Sequence, residues 1–292
     1  MIVLVPVDGS PAALQAVRLV AGYHGAHPAF VPLLVNVQAL PLSLWPEPKP
    51  DSGAIESALI DEGQLILKAA LAMLAAAGLD VKSEVRMGIA AQALLDEAAA
   101  RRAELIVMGT RGMGQISAFV LGSVATRVVH RAKVPVILVK ADARLPTAFG
   151  REQRVLLAMD GSAHASEAAH WLAGRPPWLG ETAVDMVYVQ EPLPLFAALL
   201  PPHDDVLAQW GGRLSEEATR EARAALAAAG IENRVHAPAG EPAARIVRLA
   251  GELRSDFIVM GARGLGAAHH ALLGSVALKT VHLSPVPVML VP

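Results

Sequence analysis

Two glycine-rich stretches carry the residue types and spacing best suited to chemistry: GTRGMGQISAFVLGS over 109–123 and GARGLGAAHHALLGS over 261–275. Each reads G-x-x-G, nine further residues, then G-S. Glycine removes the Cβ that would keep a phosphate oxygen away from backbone N–H groups, and it permits the positive φ values of an anion-binding nest. Gly122 and Ser123 are expected to open a helix, as are Gly274 and Ser275. At such a start, unpaired N–H groups and the helix dipole favour negative charge, and the serine hydroxyl can donate to a phosphate or cap the helix. Gly114 and Gly266 are further candidates for binding phosphate in the loops, and Arg111 and Arg263 are its cationic partners. Turns and N-caps use the same residue types, so a purely structural role stays open for each loop.

Other polar residues have two readings as well. Asp8-Gly9-Ser10 and Asp160-Gly161-Ser162 follow apolar runs. A carboxylate at a strand end can accept hydrogen bonds from the hydroxyl or N–H groups of a ligand, or approach a phosphate-bound Mg²⁺ through water. The same D-G-S makes a turn into a helix, with Ser10 as N-cap and Pro11 at the first helical position. His130 and His282 fall near the C-terminus of a helix, where histidine complements the dipole. His269 and His270 lie in the second loop, as pH-sensitive phosphate contacts or as exposed residues without a role. His24 and His27 form H-G-A-H, which differs in spacing from the H-x-G-H of nucleotidyltransferases and is expected in a loop after the first helix.

These residues need a frame to bring them together. The runs IVLVPV (2–7), FVPLLVNV (30–37), ELIVMG (104–109) and VPVILV (134–139) are β-branched and nearly continuous, as parallel strands covered on both faces must be. Between them, 11–24, 53–77 and 91–102 have helical spacing. Ile55, Leu59, Ile66, Met73 and Ala77 are expected to share the buried face of the second helix, with Gly78 just past its end. Strand, helix, strand repeated in this way predicts an α/β, doubly wound sheet. Ligands then bind outside the carboxyl ends of the strands, where strand order reverses, so the site should lie after strands 1, 2 and 4.

The whole pattern occurs twice at one offset. Asp8, Gly78, Gly88, Gly109, Gly122 and Pro135 each recur 152 residues later, as Asp160, Gly230, Gly240, Gly261, Gly274 and Pro287. A repeat so long is a whole domain rather than a solenoid unit. The reading is a domain over 1–141, a linker over 142–153 and a second domain over 154–292. With 53% hydrophobic and 18% charged residues, disorder is excluded. A net charge of −2 offers no basic footprint for nucleic acid. The absence of cysteine removes thiol chemistry and suits a reducing cytoplasm. Residues 19–46 lack Asp, Glu, Lys and Arg, but the glycines, prolines and polar residues among them argue against a membrane span. The N-terminus, MIVLVPVDGS, has no cationic region before its apolar run and reads as a core strand.

On the G-2x-G-9x-G-S spacing and the D-G-S strand ends, the chain resembles a tandem universal stress protein of the ATP-binding branch over nearly all of both halves. The resemblance implies two five-stranded parallel sheets of order 3-2-1-4-5 with helices on both faces. It also implies that the halves pair through strand 5 as an intramolecular pseudo-dimer. A homodimer of the tandem chain is compatible with the sequence but not specified by it. In the first half the implied nucleotide site comprises Pro6, Val7 and Asp8 at the nucleoside end, Val37 against the adenine edge, then Met108, Gly109 and Gly112, with Gly122, Ser123 and Val124 around phosphate. In the second half it comprises Ala158, Met159, Asp160 and Val189, then Met260, Gly261, Gly264, Gly274, Ser275 and Val276. Ala158 and Met159 stand in place of Pro6 and Val7, so the second nucleoside pocket is expected to differ in shape. The implied cofactor is ATP, with Mg²⁺ or Mn²⁺ held mainly by phosphates and by no direct protein ligand.

A binder fits the residues better than a catalyst. No G-x-x-x-x-G-K-[ST], H-E-x-x-H or G-x-S-x-G string occurs, and neither phosphate loop contains lysine. At most slow ATP hydrolysis is expected, and the preferred reading is a nucleotide-dependent stress-response sensor or regulator. The competing reading is an interaction protein in which nucleotide is incidental, resting on the Pro-rich apolar segments 38–51 and 190–205.

Overall fold

A computed structural model describes residues 1–27, 29–39, 52–112, 121–147, 149, 152–174, 176–190, 204–265 and 273–292. The chain divides into two compact units, Met1–Ala143 and Arg144–Pro292. In the first, β1 (Ile2–Pro6), β2 (Val31–Gln38), β3 (Lys82–Met87), β4 (Leu105–Gly109) and β5 (Val136–Val139) alternate with α1 (Pro11–Ala26), α2 (Ser52–Ala76), α3 (Ala90–Ala100) and α4 (Ser123–Arg131). The strand order is β3-β2-β1-β4-β5 and every pair is parallel. The second unit has β6 (Gln153–Met159), α5 (Ala163–Ala173), β7 (Thr182–Tyr188), α6 (Asp204–Ala228), β8 (Asn233–His236), α7 (Pro242–Glu252), β9 (Phe257–Gly261), α8 (Ser275–Leu283) and β10 (Val288–Val291). Its order, β8-β7-β6-β9-β10, is the same winding, again parallel. Each unit is therefore the doubly wound sheet that the alternation of patterns predicts, in the order 3-2-1-4-5 that the family resemblance implies.

Burial explains the apolar strand runs. Val3, Leu4 and Val5 of β1 and Leu105, Ile106 and Val107 of β4 are almost wholly buried, as central strands covered by helices on both faces must be. The segment expected as a linker is partly docked on the second unit. The Arg144 N–H donates to the Pro285 carbonyl (2.7 Å) and the Arg144 guanidinium to the Ser255 carbonyl (2.9 Å). Among the described residues no helix is long and apolar enough to cross a membrane.

Two sequence expectations shift. Along α2 the buried stripe is Gly63, Leu67, Ala70 and Leu74, while Ile55, Leu59, Ile66 and Met73 are half-buried and Ala77 is exposed. Apolar residues occupy nearly the whole circumference here, so periodicity alone cannot select the inner face. Helix α1 continues through Ala26, which places His24 inside the helix and His27 at its C-cap rather than in a loop. The His24 imidazole donates from Nδ1 to the Phe30 carbonyl (2.5 Å), fastening the helix end to the start of β2.

Helix termini show local sequence at work. Gly78 has φ +75° just past α2, and the Leu79 and Gly78 N–H groups donate to the Leu74 and Ala75 carbonyls (3.0 and 2.9 Å), as a left-handed helix stop requires. The same position after α3 and α7 is held by Arg102 (φ +52°) and Arg254 (φ +54°). A left-handed L-residue costs about 1–2 kcal/mol, and glycine's extra unfolded freedom returns about 0.5–1 kcal/mol of that. Arg102→Gly is therefore expected to stabilise the chain by about 0.5–1 kcal/mol in urea denaturation; a loss of stability would show that the Arg102 side chain contributes more than the backbone costs.

A closed ring of charges joins β3 to α3. Glu97 accepts from Arg86 Nε and Arg101 Nε, both at 2.7 Å, and both guanidiniums also bridge to Glu84. The hydrogen bond from Arg86, opposed by burial and aided by that from Arg101 and by both positive charges, holds the Glu97 carboxyl down at about 2 from an ordinary 4.5. A carboxyl lowered on folding stabilises fully above its unfolded value and loses that contribution as pH falls through its folded value. The window here is about pH 4.5 to 2. The arginines are 41% exposed, so solvent reduces the effect to about 1–2 kcal/mol. Glu97→Gln is expected to lose that much stability at pH 7 and to flatten the pH dependence between pH 4.5 and 2, as read by denaturant midpoints. An unchanged slope would remove Glu97 from the acid response.

Candidate functional site

The carboxyl ends of β1, β2 and β4 converge where strand order reverses across β1, the expected place for a ligand crevice. A cavity of about 310 Å³ opens there. Its walls are Pro6, Val7 and Asp8 after β1, Val37 on β2, Met108 through Gly112 at the end of β4, and Gly122, Ser123 and Val124 at the start of α4. The structure thus brings the described first-half candidates, Arg111 included, around one space, while Gly114 lies outside the described residues. Such a volume is within the range of small-molecule sites.

Sequence reasoning missed several walls. Ala13 of α1, Val35 of β2, Ala90 and Leu94 of α3, Thr110 and Ala125 also face the cavity. Small or apolar helix residues look like ordinary core in a sequence, and only the topology shows that α3 begins at this crevice. Asn36 was missed too, although a buried polar residue inside VPLLVNV is a readable signal. Its amide donates to the Val7 carbonyl (2.7 Å) and accepts from Gln38 Nε2 (3.0 Å), fixing the peptide that leads to Asp8.

The D-G-S segment works first as a turn. The Ser10 N–H donates to Asp8 Oδ1 (3.0 Å), Gly9 has φ +82°, and Ser10 Oγ caps α1 by accepting from the Ala13 N–H (3.2 Å). The same hydroxyl donates to the Arg111 carbonyl (3.1 Å), which ties the β1 loop to the β4 loop. Asp8 remains exposed on the cavity wall, with its second oxygen against Gly112. A Cβ at Gly112 would collide with that oxygen, so glycine here allows the two loops to touch.

The other end of the cavity is a bare helix start. Gly122 is the N-cap of α4, no side chain caps it, and its own N–H donates to the Thr110 carbonyl (2.8 Å). Ser123, at the first helical position, leaves its hydroxyl exposed. First-turn N–H groups without a side-chain acceptor among the described residues, beside glycines, form a place for an anion. The opposite walls, from Val7, Val35, Val37, Met108 and Leu94, are apolar and suit a flat heterocycle. Chemically, the cavity joins an apolar end to an anion-accepting end.

The second unit sets the counterparts at matching positions. Ala158 and Met159 end β6, Val189 follows β7, Met260 and Gly261 end β9, Arg263 and Gly264 follow them, and Gly274 is the N-cap of α8 with Ser275 and Val276 next. Asp160 accepts from the Ser162 N–H (2.9 Å) and the Leu265 N–H (3.1 Å), so here the carboxylate visibly bridges both loops. Gly266, His269 and His270 lie outside the described residues, as do most of the two Pro-rich segments. His130 and His282 are in the last turns of α4 and α8, as their spacing predicts.

Comparison with known proteins gives one family. Residues 1–140 and 152–292 each match the model described as the Universal stress protein family. A universal stress protein of Mycolicibacterium smegmatis is 30% identical over 304 residues, covering 99% of this chain and 96% of that protein. Another, of Thermus aquaticus, is 35% identical over 138 residues, covering 47% of this chain and 96% of its own length. The crystal structure of a universal stress protein from Archaeoglobus fulgidus covers 99% of this chain and 97% of that one, with TM-score 0.69 at 24% identity, a likeness of fold.

Proposed function

Since the chain belongs to the universal stress protein family through two tandem domains, we propose that it is a nucleotide-binding regulator that takes ATP at the strand ends of its domains. The observation that carries this reading is the first-unit cavity, whose walls join apolar strand residues to glycines and an uncapped helix start. The base would lie against Val7, Val35 and Val37, the ribose near Asp8, and the phosphates over Gly109, Gly112 and the first turn of α4. Arg111 and Ser123 would supply side-chain donors, and any Mg²⁺ or Mn²⁺ would be held mainly by the phosphates.

Binding rather than turnover suits these residues. Asp8 is the carboxylate on the cavity wall, and its Oδ1 already accepts from the Ser10 N–H. Fast phosphoryl transfer needs a cation at the γ-phosphate together with a positioned water or base, and the loops offer arginine without lysine. The output would be a change of surface that follows nucleotide occupancy, with bound ATP also stabilising the fold by mass action.

Protein purified without added nucleotide, denatured and analysed by mass spectrometry should release an adenine nucleotide, and the stripped chain should bind Mg²⁺-ATP in calorimetry with micromolar affinity. The absence of both retained nucleotide and micromolar binding would sink the reading in favour of an interaction protein. Any slow ATPase activity should vanish in the Asp8→Asn, Asp160→Asn double variant; unchanged turnover would mark a contaminant.

A further inference from the structure

We infer that the two repeats hold unequal sites, the first favouring polyphosphate nucleotide and the second set against it by the Glu241 carboxylate. This rests on the nucleotide reading above and concerns how the two sites divide their ligands. The first unit begins α3 after Ile89, an N-cap whose side chain makes no capping bond and is 70% exposed. Ala90, the next residue, lines the cavity, so the positive end of α3 is turned toward it, and the first turn of α3 carries no acidic residue.

In the second unit the same N-cap position, 152 residues on, is Glu241. Its carboxylate accepts from the Ala244 N–H (2.8 Å), occupying the helix start with a negative charge. Pro242 then stands where Ala90 lines the first cavity. That backbone bond, helped by Lys279, holds the Glu241 carboxyl below its ordinary value.

The opposing cations differ in the same sense. Arg127 lies four residues after Ser123 and Lys279 four after Ser275, on the faces that lean over the starts of α4 and α8. Arg127 is exposed, with no ion pair among the described residues. Lys279 Nζ is 3.2 Å from Glu241 Oε1, so its charge is already engaged. Relative to the aligned positions of the first unit, the second carries one more negative charge, bound to the second turn of α8 through Lys279. Its nucleoside end also lacks the amide that holds the Val7 carbonyl in the first unit, because Tyr188 stands in place of Asn36.

Glu241→Gln tests the charge directly, because its amide oxygen can still accept the Ala244 N–H. Calorimetry on the full, nucleotide-stripped chain should resolve two classes of Mg²⁺-ATP site at least about fivefold apart. Glu241→Gln should tighten the weaker class about fivefold, and Ile89→Glu should weaken the tighter class by a similar factor. Adenosine, which carries no phosphate, should be insensitive to both changes. Two equal ATP sites in the native chain would overturn the inference while leaving nucleotide binding intact. Equal effects on adenosine and ATP would also overturn it, by showing that packing rather than charge distinguishes the sites. No binding of either ligand would instead remove the nucleotide reading itself.

Discussion

Gly112→Val is expected to lower the affinity of the first unit for ATP by about 100-fold. A Cβ at position 112 would collide with Asp8 Oδ2, on a side chain already fixed through its other oxygen by the Ser10 N–H. The carboxylate must then swing, either into the cavity or away from its turn. The two methyl groups of valine would stand where a phosphate has to approach the backbone. Losing one or two charge-assisted hydrogen bonds of about 1.5–3 kcal/mol gives roughly the stated factor. Calorimetry with Mg²⁺-ATP checks it, and a circular dichroism melt separates lost binding from lost folding. Gly264→Val should act likewise in the second unit, where Asp160 also holds the Leu265 N–H. Affinity within threefold of the native chain would show that the β4 loop does not touch phosphate.

How far these effects were legible beforehand depended on how local their causes are. Ser10 caps α1 and Gly78 ends α2 as their residue types dictate, because a cap is settled within four or five residues. The central strands were readable for a similar reason: burial on both faces leaves an unbroken apolar run. Arg102 and Arg254 in left-handed geometry were not readable, since the helix stops there against arginine's own preference and only the surrounding structure enforces it. The bonds from Asn36 to Val7 and from Arg86 to Glu97 and the Glu241–Lys279 pair join residues from different elements, so sequence spacing does not announce them, although Asn36 stands out as a polar residue in an apolar run. The candidate site was half local and half not. Gly109, Gly112 and Gly122 were found by spacing, whereas Ala90 and Leu94 reach the cavity only because the crossover brings α3 to the strand ends. The repeat added what neither half shows alone: aligned positions that differ, as Ile89 and Glu241 do, stand out only against residues that stay the same.

The largest loss of stability is expected at Gly109, which belongs to both the site and the core. A Cβ there would lie 2.7 Å from the Ala13 backbone nitrogen and 2.8 Å from the Ala12 carbonyl carbon. These are main-chain atoms at the start of α1, so no side chain can rotate to make room. Helix α1 must move off β4, opening the contact that holds Ser10 against the Arg111 carbonyl. Overpacking of this kind costs about 1–3 kcal/mol, and Gly109→Val should reach the upper end because its branches add to the clash. Urea denaturation should show a loss of about 3 kcal/mol, and hydrogen exchange should rise first in α1 and β4. Gly261→Val, whose Cβ would meet the His164 backbone at 2.7 Å, should repeat the effect in α5 and β9. Gly25→Ala is the contrasting case, because a Cβ there meets nothing within 4 Å inside α1 and should stabilise by about 0.5–1 kcal/mol. If Gly109→Val and Gly25→Ala shifted stability alike, close approach of β4 to α1 would not be what requires glycine at the end of this strand. The opposite signs would show that the residue shaping the mouth of the cavity is also the one that lets the helix close over the sheet.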